Sequence, residues 1–245
     1  MHYFTTLRGH RSSVPWTGLF IAVIAAFLAS PLAHAQDTAG ADALAEKMLD
    51  RLGGRAAWAE LKNTINGSQQ NRAGEPTVVS AVITMDFERP RFRIETTAQD
   101  WYLVRVIDDD NSWRLRRTGN IEDVPADLFA DEMQWYGAHL YRTIHRVAAR
   151  DPALSLGLGE DGRLEVFADD QRIMWLRLDA RGEPYAFGFY EDEVGSLSGP
   201  WDFVRDGINH PRWISSSDGT WRAAVNSLEI NVPLHDSIFV RPASE

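Results

Sequence analysis

Over residues 78–87 the chain follows a period of two. Val79, Ala81, Ile83, Met85 and Phe87 fall on one side, and Ser80, Thr84 and Asp86 fall on the other. A period of two with one apolar side predicts an antiparallel strand buried on one face. The next stretch repeats the pattern, with Phe92 and Ile94 set against Arg91, Arg93 and Glu95. A strand-like run at 101–107 leads into a polar turn at 108–111, after which Trp113 and Leu115 alternate with Arg114 and Arg116. Further strand-like runs at 164–167, 173–178, 185–190 and 221–232 flank turn signals at Glu160-Asp161-Gly162, 179–182 and Ser217-Asp218-Gly219. Turns at such intervals predict a meander of hairpins.

Two stretches follow the helical period instead. Ala43, Leu44, Met48, Leu49 and Leu52 recur at helical spacing, and Gly53-Gly54 supplies a stop. A short helical turn over 55–61 carries Trp58 and Leu61. Across 123–150, Phe129, Met133, Tyr136, Leu140, Ile144 and Val147 form one apolar stripe, which predicts a single long helix with room for a bend at Gly137. That stripe needs an apolar partner, and the buried face of the sheet is the only one of adequate size.

The expected fold is therefore α+β: a curved antiparallel sheet forming an incomplete, half-open β-barrel, with an N-terminal helix and a long lid helix. Ile83, Met85, Phe87, Phe92, Ile94, Trp113 and Leu115 are expected on the concave side, faced by Phe129, Met133, Tyr136 and Leu140 from the helix. A space left between them would bind an apolar ligand by burial alone.

Composition narrows the setting. Residues 1–35 have the zones of a cleavable secretory signal: Arg8 and Arg11, an uncharged apolar run at 18–29, and Ala33-His34-Ala35 before Gln36. A run of about 12 residues rises about 18 Å as a helix, too little for a ~30 Å hydrocarbon core. Cleavage after Ala35 implies a periplasmic protein, one domain over 36–245 that is no integral membrane protein. The chain has no cysteine, which excludes disulfides, thiolate metal sites and a lipid-modified cysteine. Its net charge of −10 disfavours nucleic acid as a partner.

Several motifs are decoys. Gly157-Leu158-Gly159-Glu160-Asp161-Gly162 spells a dinucleotide fingerprint, yet strand-like residues follow it and its acids would repel a pyrophosphate. Gly195-Ser196-Leu197-Ser198-Gly199 has leucine where a nucleophile elbow needs serine. Asn66-Gly67-Ser68 is a glycosylation acceptor only in a secretory pathway that uses one. His139 and His145 would lie on different sides of a helix, and 108–111 lacks the spacing of a calcium loop. No metal, cofactor or catalytic residue is expected.

Longer segments resemble a family. Leu52-Gly53-Gly54-Arg55-Ala56-Ala57-Trp58, Asn66-Gly67 and Arg89-Pro90-Arg91-Phe92-Arg93-Ile94-Glu95 resemble the N-terminal half of the periplasmic lipoprotein-carrier (LolA/LolB-like) superfamily. Trp201-Asp202-Phe203, 207–211, 217–219 and 225–242, with an N-x-x-L-x-D-x-x-F ending at 231–239, resemble its closing strands. The resemblance implies a half-barrel that holds acyl chains or other hydrophobic groups without catalysis. It also implies that Arg89, the arginine before the strand proline, bonds to the lid and gates it. The Leu-Gly-Gly opening and the long helix depart from the carrier itself and point to a separate branch. The expected function is a carrier, chaperone or sensor for a lipid, a lipoprotein acyl chain or a similar hydrophobe, with an envelope protein as a further partner. The alternatives are a secreted interaction module with a solid core and an envelope hydrolase of unrecognised type.

Overall fold

The computed structural model describes residues 30–243. The charged start and apolar run of the expected export signal lie outside the described residues. The expected cleavage point after Ala35 falls inside the first helix, α1 (Ser30–Arg51).

Ala41, Ala45, Met48, Leu49 and Leu52 give α1 and its end a fully buried face. The helix stops where its spacing predicts. Gly53 and Gly54 take φ of 110° and 100°, and the Gly54 N–H donates to Leu49 O at 2.8 Å, closing off the last turn. Gly53 is required twice over, because a Cβ there would sit 2.0 Å from Gly207 O. Helix α2 (Arg55–Ala59) then buries Trp58, whose Nε1 donates to Leu52 O at 2.9 Å.

The strands are β1 (Asn63–Arg72), β2 (Val79–Asp86), β3 (Arg91–Ala98), β4 (Trp101–Ile107), β5 (Trp113–Leu115) and β6 (Ile121–Asp123), then β7 (Leu154–Leu158), β8 (Leu164–Ala168), β9 (Gln171–Leu178) and β10 (Pro184–Phe189). The last are β11 (Ser196–Ser198), β12 (Phe203–Arg205), β13 (Ile208–His210), β14 (Trp213–Ser216) and β15 (Trp221–Ile230). Among the described residues, 13 strands form one antiparallel sheet in the order β6-β5-β4-β3-β2-β1-β15-β14-β11-β10-β9-β8-β7, and β12 and β13 pair apart. The first and last long strands, β1 and β15, meet at the centre, while β6 and β7 are its two unpaired ends. The sheet is curved and does not close. The fold class is α+β, as the alternating pattern predicts.

The expected long helix is two. The residues 121–123 belong to β6, and the rest divides into α3 (Ala126–Ala138) and α4 (Leu140–Ala148). The break is at His139, whose φ of −56° and ψ of 136° are extended, not at Gly137. The polar groups freed there find new partners: Thr143 N–H donates to His139 O at 2.8 Å, and Arg142 Nη1 donates to Gly137 O at 3.1 Å. A single stripe therefore serves two cores. Leu140, Ile144 and Val147 enter the main core with α1, Trp58 and residues of β8–β10. Phe129, Met133 and Tyr136 pack instead over β2–β4.

Register also corrects the expected face of two residues. Met85 pairs with Phe92 and Phe92 with Ile107, and Ile83 pairs with Ile94, so these five share the helix-facing side. Trp113 pairs with Val106, itself opposite Arg93, and Leu115 pairs with Val104, itself opposite Glu95. Trp113 and Leu115 therefore lie on the outer face. They alternate as expected, but the turn before β5 sets which face their parity meets. The C-terminal segment covers them, with Leu234, Ile238 and Phe239 packed on Val104, Val106 and Trp113.

Candidate functional site

Of the residues expected to share one apolar site, the structure brings together Ile83, Met85, Phe87, Phe92, Ile94, Phe129, Met133 and Tyr136, and adds Ile107, Val124 and Trp135. Leu140 lies in the main core, and Trp113 and Leu115 lie on the far face. Sequence reasoning missed Trp135 because it falls off the stripe of a regular helix. It reaches the site because its ring meets Phe92 edge-on at 5.2 Å.

The centre of this assembly is filled. Met85, Phe92 and Ile107 are fully buried, and the Phe92 and Tyr136 rings stack at 5.9 Å. The periphery is not filled: Ile83, Phe87, Ile94, Phe129, Met133 and Trp135 all keep partial exposure. Within α3 only Glu132, Tyr136 and Ala138 are buried, whereas six of the nine residues of α4 are. The two halves of one stripe are thus held very differently.

Polar contacts, few in number, hold α3 down. Tyr136 Oη donates to Asp86 O at 2.6 Å, and Tyr190 Oη donates to Gln134 O at 2.8 Å. Arg105 Nε lies 2.9 Å from Glu132 Oε1. Burial pushes the Glu132 carboxyl up, against the pull of Arg105.

The Arg89 side chain does not make the expected contact with the lid helix, although its backbone carbonyl accepts from Tyr136 Oη of α3 at 3.5 Å. Its guanidinium points to the outer side, 3.2 Å from Asp236 and 3.6 Å from Asp108. The reason is local: Asp86 Oδ1 accepts from the Glu88 and Arg89 N–H groups and so fixes the hairpin, leaving the Arg89 side chain half exposed beside the tail. The arginine that matters for packing is Arg91, 5% exposed, which donates to Asp86 Oδ2 at 2.9 Å, reaches Asp236 at 2.8 Å and lies 4.1 Å over the Phe239 ring. Arg91 in turn holds the Asp236 carboxyl below its ordinary range. The alternation of Arg91 with Phe92 reads as a wet face, and no local signal reveals that the tail returns to cover it.

Two hollows adjoin this region. One, of about 460 Å³, lies on the outer side between Arg89, Arg91, Asp108, Asp236 and Arg241. The other, of about 480 Å³, is an open groove by Leu61, Lys62, Phe87, Glu88 and His145, so it shares Phe87 with the apolar site. There the His145 Nδ1 lies 2.9 Å from Trp58 O and the ring stacks on Phe87 at 5.4 Å. Among the described residues no group of three or more His, Cys, Asp or Glu is placed to hold a metal ion. Asn66 is not a free acceptor for glycan: its Nδ2 donates to the Tyr141 Oη at 3.0 Å inside the fold. Among the described residues no helix is long and apolar enough to cross a membrane.

No protein-family description matches the chain, and no curated protein matches it significantly. Solved structures do match, 23 chains among them. A DUF1329 family protein from Desulfovibrio piger aligns with a TM-score of 0.48 at 12% identity, over 83% of this chain and 97% of that one. An uncharacterised conserved protein from Thermus thermophilus aligns with a TM-score of 0.34 at 13% identity, over 82% and 95%. MucB aligns with a TM-score of 0.30 at 17% identity, over 84% of this chain and 64% of its own. The chain thus resembles each of the three over more than four fifths of its own length, at an identity of 17% or less.

Proposed function

We propose that this chain is an exported, non-catalytic binding protein, one domain over 36–245, that takes an acyl chain or similar apolar group on the sheet face covered by α3. One observation carries the reading: α4 is sunk in the main core, while α3 covers a filled centre and leaves Ile83, Phe87 and Ile94 around it partly exposed. A helix retained only for stability would bury that surface. A helix that must lift cannot bury it fully, because every buried methylene adds about 0.8 kcal/mol to the cost of lifting. The filled centre fits this scheme, since ligand space arises as α3 lifts with Tyr136, leaving partly buried Phe129 and Met133 at its rim to contact the ligand.

Fluorescence titration with cis-parinaric acid tests the proposal. The expected result is saturable binding that weakens about tenfold or more in Phe129→Ser and Met133→Ser, because each half-buried side chain supplies on the order of 1.5 kcal/mol or more to an apolar contact. Leu197→Ser, on an exposed outer position, should bind as the parent does. Absence of binding by the parent chain, or equal loss in all three variants, would overturn it.

A second reading has its own support. On the outer face Val82 is 39% and Tyr102 42% exposed, close to half-buried Leu115 through the Val82–Glu95–Val104–Leu115 row. That surface suits an envelope protein partner, and binding of such a partner that survives Phe129→Ser would favour it.

A further inference from the structure

We propose that the α3–α4 junction is a proton-sensitive hinge, in which lifting α3 bares His139 so that acidification favours the open form. The inference rests on α3 being the movable cover of the site, and it adds what would regulate that cover.

The geometry is specific to the joint. His139 is the residue at which the helix breaks, with extended φ and ψ between two helical segments. Its ring is held between one aromatic from each side of the break: Trp135 of α3 at 4.8 Å and Tyr141 of α4 at 5.6 Å. Its Nδ1 is shielded from solvent and has no hydrogen-bond partner. A polar atom in that condition is destabilising as it stands, and more so when protonated. Swinging α3 away removes the Trp135 wall, and water then solvates the imidazole.

Charged and titratable groups surround this ring on the neighbouring elements. Arg142 of α4 is the charge that acts on His139, and it too disfavours a second cation. Tyr141, kept neutral by burial, separates His139 from His210 of β13, with ring centres 6.4 Å apart from Tyr141 to His210. From β1, Asn66 spends its amide on the Tyr141 hydroxyl. Burial and Arg142 together push the His139 imidazole down to about 3 in the closed form. Exposed to water it would return towards 6.5. The open form therefore binds the extra proton, and its share grows as pH falls through 6.5. Glu132 works the other way, since burial raises its carboxyl in the closed form, so closing retains a proton there. On acidification the two effects oppose each other, and His139→Gln, which leaves Glu132 in place, isolates the histidine's share.

Hydrogen exchange read by mass spectrometry on the ligand-free chain at pH 7.5 and 5.5, corrected for intrinsic rates, tests the hinge. Opening of 126–138 should rise three- to tenfold at the lower pH while 140–148 stays protected; partial solvent contact of the residue keeps the effect at or below tenfold. In His139→Gln, which keeps a polar side chain without a titrating ring, the rise should vanish. His139→Phe is the companion if glutamine impairs folding, judged by the melting curve at pH 7.5. A pH-independent α3, an equal rise in either variant, or joint loss of α3 and α4 would each overturn the hinge. The lipid titration at fixed pH is read separately, so loss of ligand binding with an intact pH response removes the ligand and leaves the hinge.

Discussion

At the scale of single residues, the structure is decided by polar side chains that lie where alternation alone would place water. Arg91 is the clearest case. It and Asp86 are 5% and 9% exposed, paired at 2.9 Å, and the guanidinium also covers the Phe239 ring. Truncating one member of such a pair leaves the other charge buried without compensation, which costs about 3–5 kcal/mol. Arg91→Ala should lower unfolding free energy in urea by that amount, and a loss below about 1 kcal/mol would mean that the pair is solvated. Arg89→Ala, one pleat away and half exposed, should cost far less. The sequence marks both arginines alike, because local alternation carries no information about a tail that returns 145 residues later, where Arg93 Nη1 donates to Ile238 O.

At the scale of elements, periodicity located most of what formed and misjudged how pieces join. The strand at 78–87 is β2, Val79–Asp86, and the Gly53-Gly54 stop ends α1 as expected. The stripe from Phe129 to Val147 is real, yet it crosses a break, because spacing reports which residues share a side and not whether the backbone between them stays helical. The strand holding Trp113 and Leu115 alternates as expected, yet faces outward, because one residue of register reverses a strand's faces. That face depends on the C-terminal segment. Phe239 is 1% exposed, and its carbonyl accepts from Trp113 Nε1 at 2.8 Å. Removing 234–245 should therefore uncover Trp113, Val104 and Val106, shifting tryptophan emission to the red and speeding exchange in β5 and β6 while β8–β10 stay protected. Unchanged exchange in β5 would show that the tail only rests there.

At the scale of the whole molecule, acidity should weaken the fold through its buried imidazoles. His210 is fully buried, its Nδ1 lies 3.1 Å from Pro211 O, and its Nε2 has no partner. Burial pushes it down to about 4. A depressed histidine binds its proton more readily in the unfolded chain, so its contribution is complete above about 6.5 and is lost as pH falls towards 4. Urea midpoints should be level from pH 8 to 7 and fall at pH 5, with about 2 kcal/mol of that loss absent in His210→Gln and the remainder belonging to His139. A midpoint that rises on acidification would contradict the burial of this ring.

Taken alone, the amino-acid sequence determined the α+β class, the one-faced strands, the first helix and its stop, and the apolar set at Ile83, Met85, Phe92, Phe129 and Tyr136. These follow from repeats of two or 3.6 residues, which side-chain direction enforces locally. Only the tertiary structure decided the break at His139, the outward turn of Trp113, the burial of Arg91 and the half-covered state of α3. Each of these depends on which distant segment arrives to cover a face, and that is settled by packing across the whole chain rather than by any stretch of it.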